Sequence, residues 1–152
     1  IYAQNILEIE HPKVALINIG EEEGKGNLLA QASYHLLKES KLINFTGNIE
    51  GREVLTGKAD VMVCDGFTGN VILKLGESIF DIAKSRNLGE DDYFKRFNFE
   101  TYGGTPILGV DKPVIVGHGI STATAFKNMI HLAVKMIETK LLEKMKEKFV
   151  TE

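Results

Sequence analysis

Four short runs rich in valine and isoleucine, Val14 to Ile19, Ile43 to Phe45, Val61 to Val63 and Val114 to Val116, limit this chain more than any other feature. Each is followed within a few residues by glycine. Their apolar residues run almost without interruption instead of alternating, which suits strands covered on both faces, as in a parallel sheet between helices. Helical patterns lie between them, from Gly26 to Ser40 and from Asn70 to Ser85. A long terminal pattern sets Phe126, Met129, Ile130, Ala133, Ile137 and Leu141 at three- and four-residue spacing, which predicts a helix with one face on a core. Strand alternating with helix predicts an open α/β sheet with right-handed crossovers. The segment from Arg86 to Thr101 mixes aromatic and charged residues without either period and is expected to be an excursion.

The chain has 152 residues, 43% of them hydrophobic, and one domain is the expected organisation. Eighteen basic against 21 acidic residues give a net charge of -3, so no broad positive field favours nucleic acid as a partner. A single cysteine, Cys64, cannot close an internal disulfide, and no signal peptide or membrane-length apolar run is visible. A cytoplasmic location is expected. The chain starts at Ile1, and its first eleven residues read as the end of an element, so it is expected to be part of something longer. The closing stretch ETKLLEKMKEK reads as a solvated helix face.

Each strand candidate ends in a turn of small and polar residues: NIGEEEGKGN, TGNIEGR, CDGFTGN and GHGIST. In open α/β sheets ligands bind at the carboxyl ends of strands, where helix N-termini present free N–H groups, and these loops are expected to share one edge. The first does not read as a nucleotide P-loop. From Gly20 to Lys25 it is one residue too short, Gly26 stands where Ser or Thr would be needed, and Glu21, Glu22 and Glu23 would repel a polyphosphate. Lys25 either meets an anion or pairs with a glutamate of its own loop. Arg52 has the fork geometry for phosphate, or makes a surface ion pair, and the nearby Gly47 and Gly51 allow close backbone approach. Asp65 and Asn70 bracket Gly66 and Gly69 where strand gives way to helix, as a turn with a cap or as a ligand site. Cys64, without a base nearby in sequence, reads as a structural thiol. His118, between Gly117 and Gly119, is the histidine of a glycine-rich turn; it serves a site or bonds locally. His35 and His131 fall within helices, and Ser121 or Thr122 is expected to cap the terminal one. No cluster of His, Cys or carboxylates has metal-ligand spacing, so neither metal nor cofactor is expected.

As an ordered set, NIGEEEGKGN, NFTGNIEGR, ADVMVCDGFTGN, YGGTPILGV and VGHG resemble the signature blocks of the bacterial phosphate acyltransferases of phospholipid synthesis. The likeness runs from about Val14 to about Val134, and the chain corresponds to the C-terminal part of that single α/β domain. It implies a three-layer Rossmann-like open sheet akin to the isocitrate and isopropylmalate dehydrogenases. It also implies an enzyme that moves a fatty acyl group from acyl carrier protein to inorganic phosphate, as a homodimer with peripheral membrane association. Motif position and residue chemistry together assign Lys25 and Arg52 to charge neutralisation, Asn48 and Asn70 to orientation, and His118 to hydrogen bonding or proton transfer. Gly24, Gly26, Asn48, Gly51, Asp65, Gly66, Gly69, Gly117 and Gly119 are the expected phosphate- or substrate-binding positions. Two departures stand out. Thr122 occupies the place where the family often has asparagine, and the stretch from Gly76 to Tyr102 is short for a membrane-contacting tip, although Phe80, Tyr93, Phe94, Phe97 and Phe99 supply apolar side chains there. The competing readings are a phosphotransacetylase-like enzyme acting on acyl-CoA, a nicotinamide-dependent dehydrogenase of the same fold, and a non-catalytic carrier-protein or membrane-docking module.

Overall fold

The computed structural model describes residues 1–150. In chain order the elements are α1 (Tyr2–Asn5), β1 (Lys13–Asn18), α2 (Leu28–Glu39), β2 (Asn44–Glu50), a 3-10 turn (Gly51–Glu53), β3 (Val61–Val63) and α3 (Gly66–Ser85). After these come α4 (Asp92–Lys95), α5 (Phe99–Tyr102), β4 (Gly104–Ile107), β5 (Val114–Gly117), α6 (Ala123–Glu138) and α7 (Leu141–Val150). The chain divides into two compact units, one of residues 2–69 and one that takes up the chain from Asn70.

The first unit is α/β. Its three strands are all parallel in the order β2-β1-β3, which puts β1 in the middle. The central position explains the unbroken apolar run: Val14, Ala15 and Leu16 are buried, and Ala15 joins Ile49 and Ala59 in a core flanked by Ile17 and Met62. A strand with a neighbour on each edge and cover on each face has no solvent side on which to place polar residues.

β2 extends beyond its expected end at Phe45 to Glu50, and its register against β1 is irregular. Val14 faces Phe45 while Leu16 faces Asn48, so between these pairs the single Ala15 opposes both Thr46 and Gly47. Gly47 takes the strain with φ of +97°, a left-handed value that residues with a Cβ rarely adopt. Thr46 Oγ1 donates to Val14 O at 3.1 Å beside the bulge. Beyond it Asn48 and Ile49 are both buried, on opposite faces of the strand.

The second unit departs from the expected single parallel sheet. β5 pairs antiparallel with β4 in a separate two-stranded sheet, from Gly104 opposite Gly117 to Ile107 opposite Val114. α6 packs on this ribbon through Ala125 and Met129. A side chain at Gly103 would meet Met129 N at 2.6 Å, so the Gly103–Gly104 pair lets the chain enter β4 close against the helix. The long terminal helix is also two. α6 stops at Glu138, Lys140 turns left-handed with φ of +52°, and α7 follows with Leu141 and Leu142 buried. No helix among the described residues is long and apolar enough to cross a membrane.

Candidate functional site

The parallel order of β1, β2 and β3 gathers the turns that follow them on one edge of the first unit. Two buried asparagines organise that edge. Asn18, the last residue of β1, accepts from Ile19 N at 2.8 Å and donates to Lys25 O at 3.0 Å, so it folds residues 19–25 back over the strand end. Asn48 of β2 donates to Glu22 O at 2.8 Å and holds the middle of the same loop. Its own Oδ1 is buried without a partner among the described residues. Gly26, with φ of +86°, closes the loop, and a Cβ there would collide with Asn18 Oδ1. The amide of Gln31 clamps it from α2, donating to Gly24 O and Gly26 O at 3.0 and 3.1 Å. Asn27 then caps α2 through Ala30 N, which leaves the positive end of the helix next to the loop.

The loop's acidic residues are largely occupied. Lys58 Nζ lies 2.6 Å from Glu21 and 2.7 Å from Glu53, joining the loop to the 3-10 turn after β2. Lys38 Nζ binds Glu23 at 2.8 Å. These contacts lower the Glu23 and Glu53 carboxyls, through hydrogen bonds from Lys38 and Lys58 respectively, and raise both lysines. Lys25, by contrast, has no ion pair among the described residues; its stem lies over Gly20, and it is exposed. Arg52 is exposed and its Nε meets Glu50 Oε2 at 3.0 Å, the surface pair that was one of its two sequence readings.

Asp65 is committed to the start of α3. Its two carboxylate oxygens accept from Thr68 N at 2.9 Å and Thr68 Oγ1 at 2.6 Å, which holds its carboxyl below the ordinary value. It therefore shapes the turn in which it sits. Burial, with the charge of Asp65 as a lesser cause, pushes the Cys64 thiol up. Gly69 lies against it, since a Cβ there would be 3.3 Å from Cys64 Sγ. Asn70 is exposed on α3.

His118 belongs to the second unit, at the turn after β5. Its Nε2 is 3.4 Å from Lys74 Nζ and 3.9 Å from Glu77 Oε2, its Nδ1 is 3.4 Å from Ile120 N, and its ring lies 4.9 Å from that of Phe99. Gly117 is packed against Met129, where a Cβ would be 3.0 Å from Sδ. Thr122 is the residue before α6, but its hydroxyl donates to Glu100 at 2.7 Å instead of capping the helix.

The expected glycines therefore fall into two sets. Gly26 is required by its backbone angle and by Asn18, while at Gly69 and Gly117 a Cβ would be tight against Cys64 Sγ and Met129 Sδ. At Gly24, Gly51, Gly66 and Gly119 a Cβ would meet nothing within 4 Å. The first set explains itself structurally, whereas the second leaves open backbone beside the polar turns.

A model of the fatty acid synthesis protein family matches residues 1–144. The chain belongs to that family. Among curated relatives of this fatty acid synthesis protein family it is 41% identical to a phosphate acyltransferase of Dictyoglomus turgidum, over 97% of the chain and 49% of the relative. It is 44% identical to a phosphate acyltransferase of Clostridium perfringens, over 97% of the chain and 49% of the relative. An Aquifex aeolicus phosphate acyltransferase is 44% identical over 95% of the chain and 48% of the relative. The chain spans about half the length of these family members.

Sequence reasoning passed over Asn18, Lys58, Lys74 and Glu77. A polar residue closing an otherwise apolar central strand was the available signal for Asn18. For Lys74 and Glu77 the signal was their three-residue spacing on a helical pattern, whereas the contacts of Lys58 with Glu21 and of Lys74 with His118 join residues far apart in the chain and leave no local signature.

Proposed function

We propose that this chain is the C-terminal part of a phosphate acyltransferase domain that transfers a fatty acyl group from acyl carrier protein to inorganic phosphate, giving acyl phosphate for phospholipid synthesis. The complete domain has a three-layer Rossmann-like sheet of the isocitrate and isopropylmalate dehydrogenase kind. It works as a cytoplasmic homodimer that associates peripherally with the inner face of the membrane. The relatives' names and the ordered motifs support the reaction.

In this reaction a phosphate oxygen attacks the thioester carbonyl, and the new C–O bond forms as the carbonyl pair moves onto oxygen. The tetrahedral oxyanion collapses, the C–S bond breaks, and pantetheine thiolate leaves with the electron pair. Phosphate is the nucleophile, so the protein's work is to place a dianion and stabilise an oxyanion. The observation that carries this reading is the unpaired Lys25 ammonium on a loop whose neighbouring Glu21 and Glu23 are neutralised by Lys58 and Lys38. Lys25 is thus exposed at a strand-end edge, with the Glu22 carboxylate over the same Gly20 as its stem. Arg52 exchanges Glu50 for substrate, and the open backbone at Gly24, Gly51, Gly66 and Gly119 permits close approach. Asn48 acts through the loop, because its amide already holds Glu22 O. Asn70 orients substrate from its exposed place on α3, and His118 moves a proton or donates a hydrogen bond.

Full-length protein supplied with acyl-(acyl carrier protein) and phosphate is expected to lose thioester only when phosphate is present. Lys25→Ala should lower kcat by roughly 100-fold with unchanged circular dichroism. Wild-type protein that makes no acyl phosphate would overturn the assignment. Unaltered turnover in Lys25→Ala removes that residue from it.

A further inference from the structure

The turn carrying His118 holds a three-member cluster. Lys74 and Glu77 are one helical turn apart on α3, and Lys74 Nζ meets both Glu77 carboxylate oxygens, at 2.9 and 2.7 Å. The same ammonium lies 3.4 Å from His118 Nε2. An ammonium has only hydrogens to offer, so this contact needs a lone pair on Nε2 and therefore the hydrogen on Nδ1. Ile120 N, at 3.4 Å from Nδ1, makes the opposite demand. A neutral imidazole cannot accept at both nitrogens. The two demands are unequal: a hydrogen bond from a charged donor is roughly twice as strong as one from a neutral amide. Phe99 of α5 lies against the ring at a tilt of 34°.

We propose that Lys74 and Glu77 are positioning residues for His118: Lys74 selects the tautomer with its lone pair on Nε2, and Glu77 holds Lys74 at that distance. The proposal rests on the role given to His118 above. A histidine fixed in this way presents Nε2 as a base and Nδ1–H as a donor, and the choice between them is set by a helix remote from it in sequence. In turnover Lys74 swings wholly to Glu77, freeing Nε2 for a substrate proton without leaving an unpaired ammonium. Glu77 is suited to this because the two ions already form a bidentate pair.

Nitrogen-15 spectra of full-length protein labelled at histidine read the tautomer directly, with the His118→Gln variant assigning the signal. His118 is expected to be the neutral Nδ1–H form in the parent protein, to move towards Nε2–H in Lys74→Met, and to be restored by Lys74→Arg. In Lys74→Met and Glu77→Gln, kcat should fall by roughly 10- to 100-fold while KM for the acyl carrier substrate stays within about twofold. A parent protein in the Nε2–H form, or a tautomer that Lys74→Met leaves unchanged, overturns the positioning arrangement. A tautomer that moves with kcat unaffected overturns instead the role of His118 in the reaction. The spectrum tells these failures apart, and it is read on folded protein whether or not the variant is active.

Discussion

At the scale of single residues, the strand-end edge depends on a few atoms whose removal has separable effects. Gly26 combines a left-handed backbone with a side-chain position already filled by Asn18. Gly26→Ala is therefore expected to cost at least about 1 kcal/mol in chemical denaturation, beyond the backbone term alone. Asn48→Ala removes one of the two donors to Glu22 O, the other being Lys25 N at 3.1 Å, and should cost about 1 kcal/mol. Because the loop bearing Lys25 then loses its tie to β2, phosphate KM should rise as well. Asp65 gives a test in pH. Thr68 holds its folded value below the ordinary 3.8, so folding contributes stability that is present above 3.8 and lost as pH falls through the depressed folded value. Melting temperature followed into acid should lose this component in Asp65→Asn, which still caps the helix but does not titrate. An unchanged acid profile in that variant would show that the carboxyl does not carry the effect.

At the scale of elements, the sequence was read most accurately where one local signal sufficed. β3 was expected over Val61 to Val63 and is found there, and α2 lies inside its expected range. β2 was read short because Thr-Gly-Asn looks like a turn; in the fold the glycine makes a bulge, and pairing resumes beyond it. β4 was missed because Gly104 and Pro106 lack strand propensity, yet it has only β5 as a neighbour, and an edge position tolerates proline. The single terminal helix became two because apolar spacing continues from Ile137 to Leu141 through a residue that is not helical. Lys140 bears a left-handed backbone that glycine would adopt freely, so Lys140→Gly is expected to stabilise by up to about 1 kcal/mol in denaturant. Met136, fully buried on α6, should cost about 2–5 kcal/mol when replaced by alanine.

At the scale of the whole molecule, the division into two units decides how opening and function are distributed. β1 is paired on both sides and buried, so its amides should exchange with solvent more slowly than those of β4 and β5, each of which has one strand neighbour. Hydrogen exchange followed by mass spectrometry checks this, and faster exchange in β1 would contradict it. The candidate residues divide in the same way: Lys25, Arg52, Asn48 and Asp65 lie in the first unit, and Asn70 and His118 in the second. The sequence by itself determined the α/β character and the polar turns after the strands, because unbroken valine and isoleucine runs and glycine-bounded loops are local patterns. Their ordered motifs also pointed to the family that the comparisons establish. Only the tertiary structure decided that β5 pairs with β4 outside the parallel sheet, that Asn18 and Asn48 act as struts, and that Lys58 and Lys38 pair with Glu21 and Glu23 while Lys25 of the same loop has no ion pair among the described residues. Strand pairing, burial of a lone polar side chain and the matching of charges depend on residues distant in the chain, and periodicity does not record which of them meet.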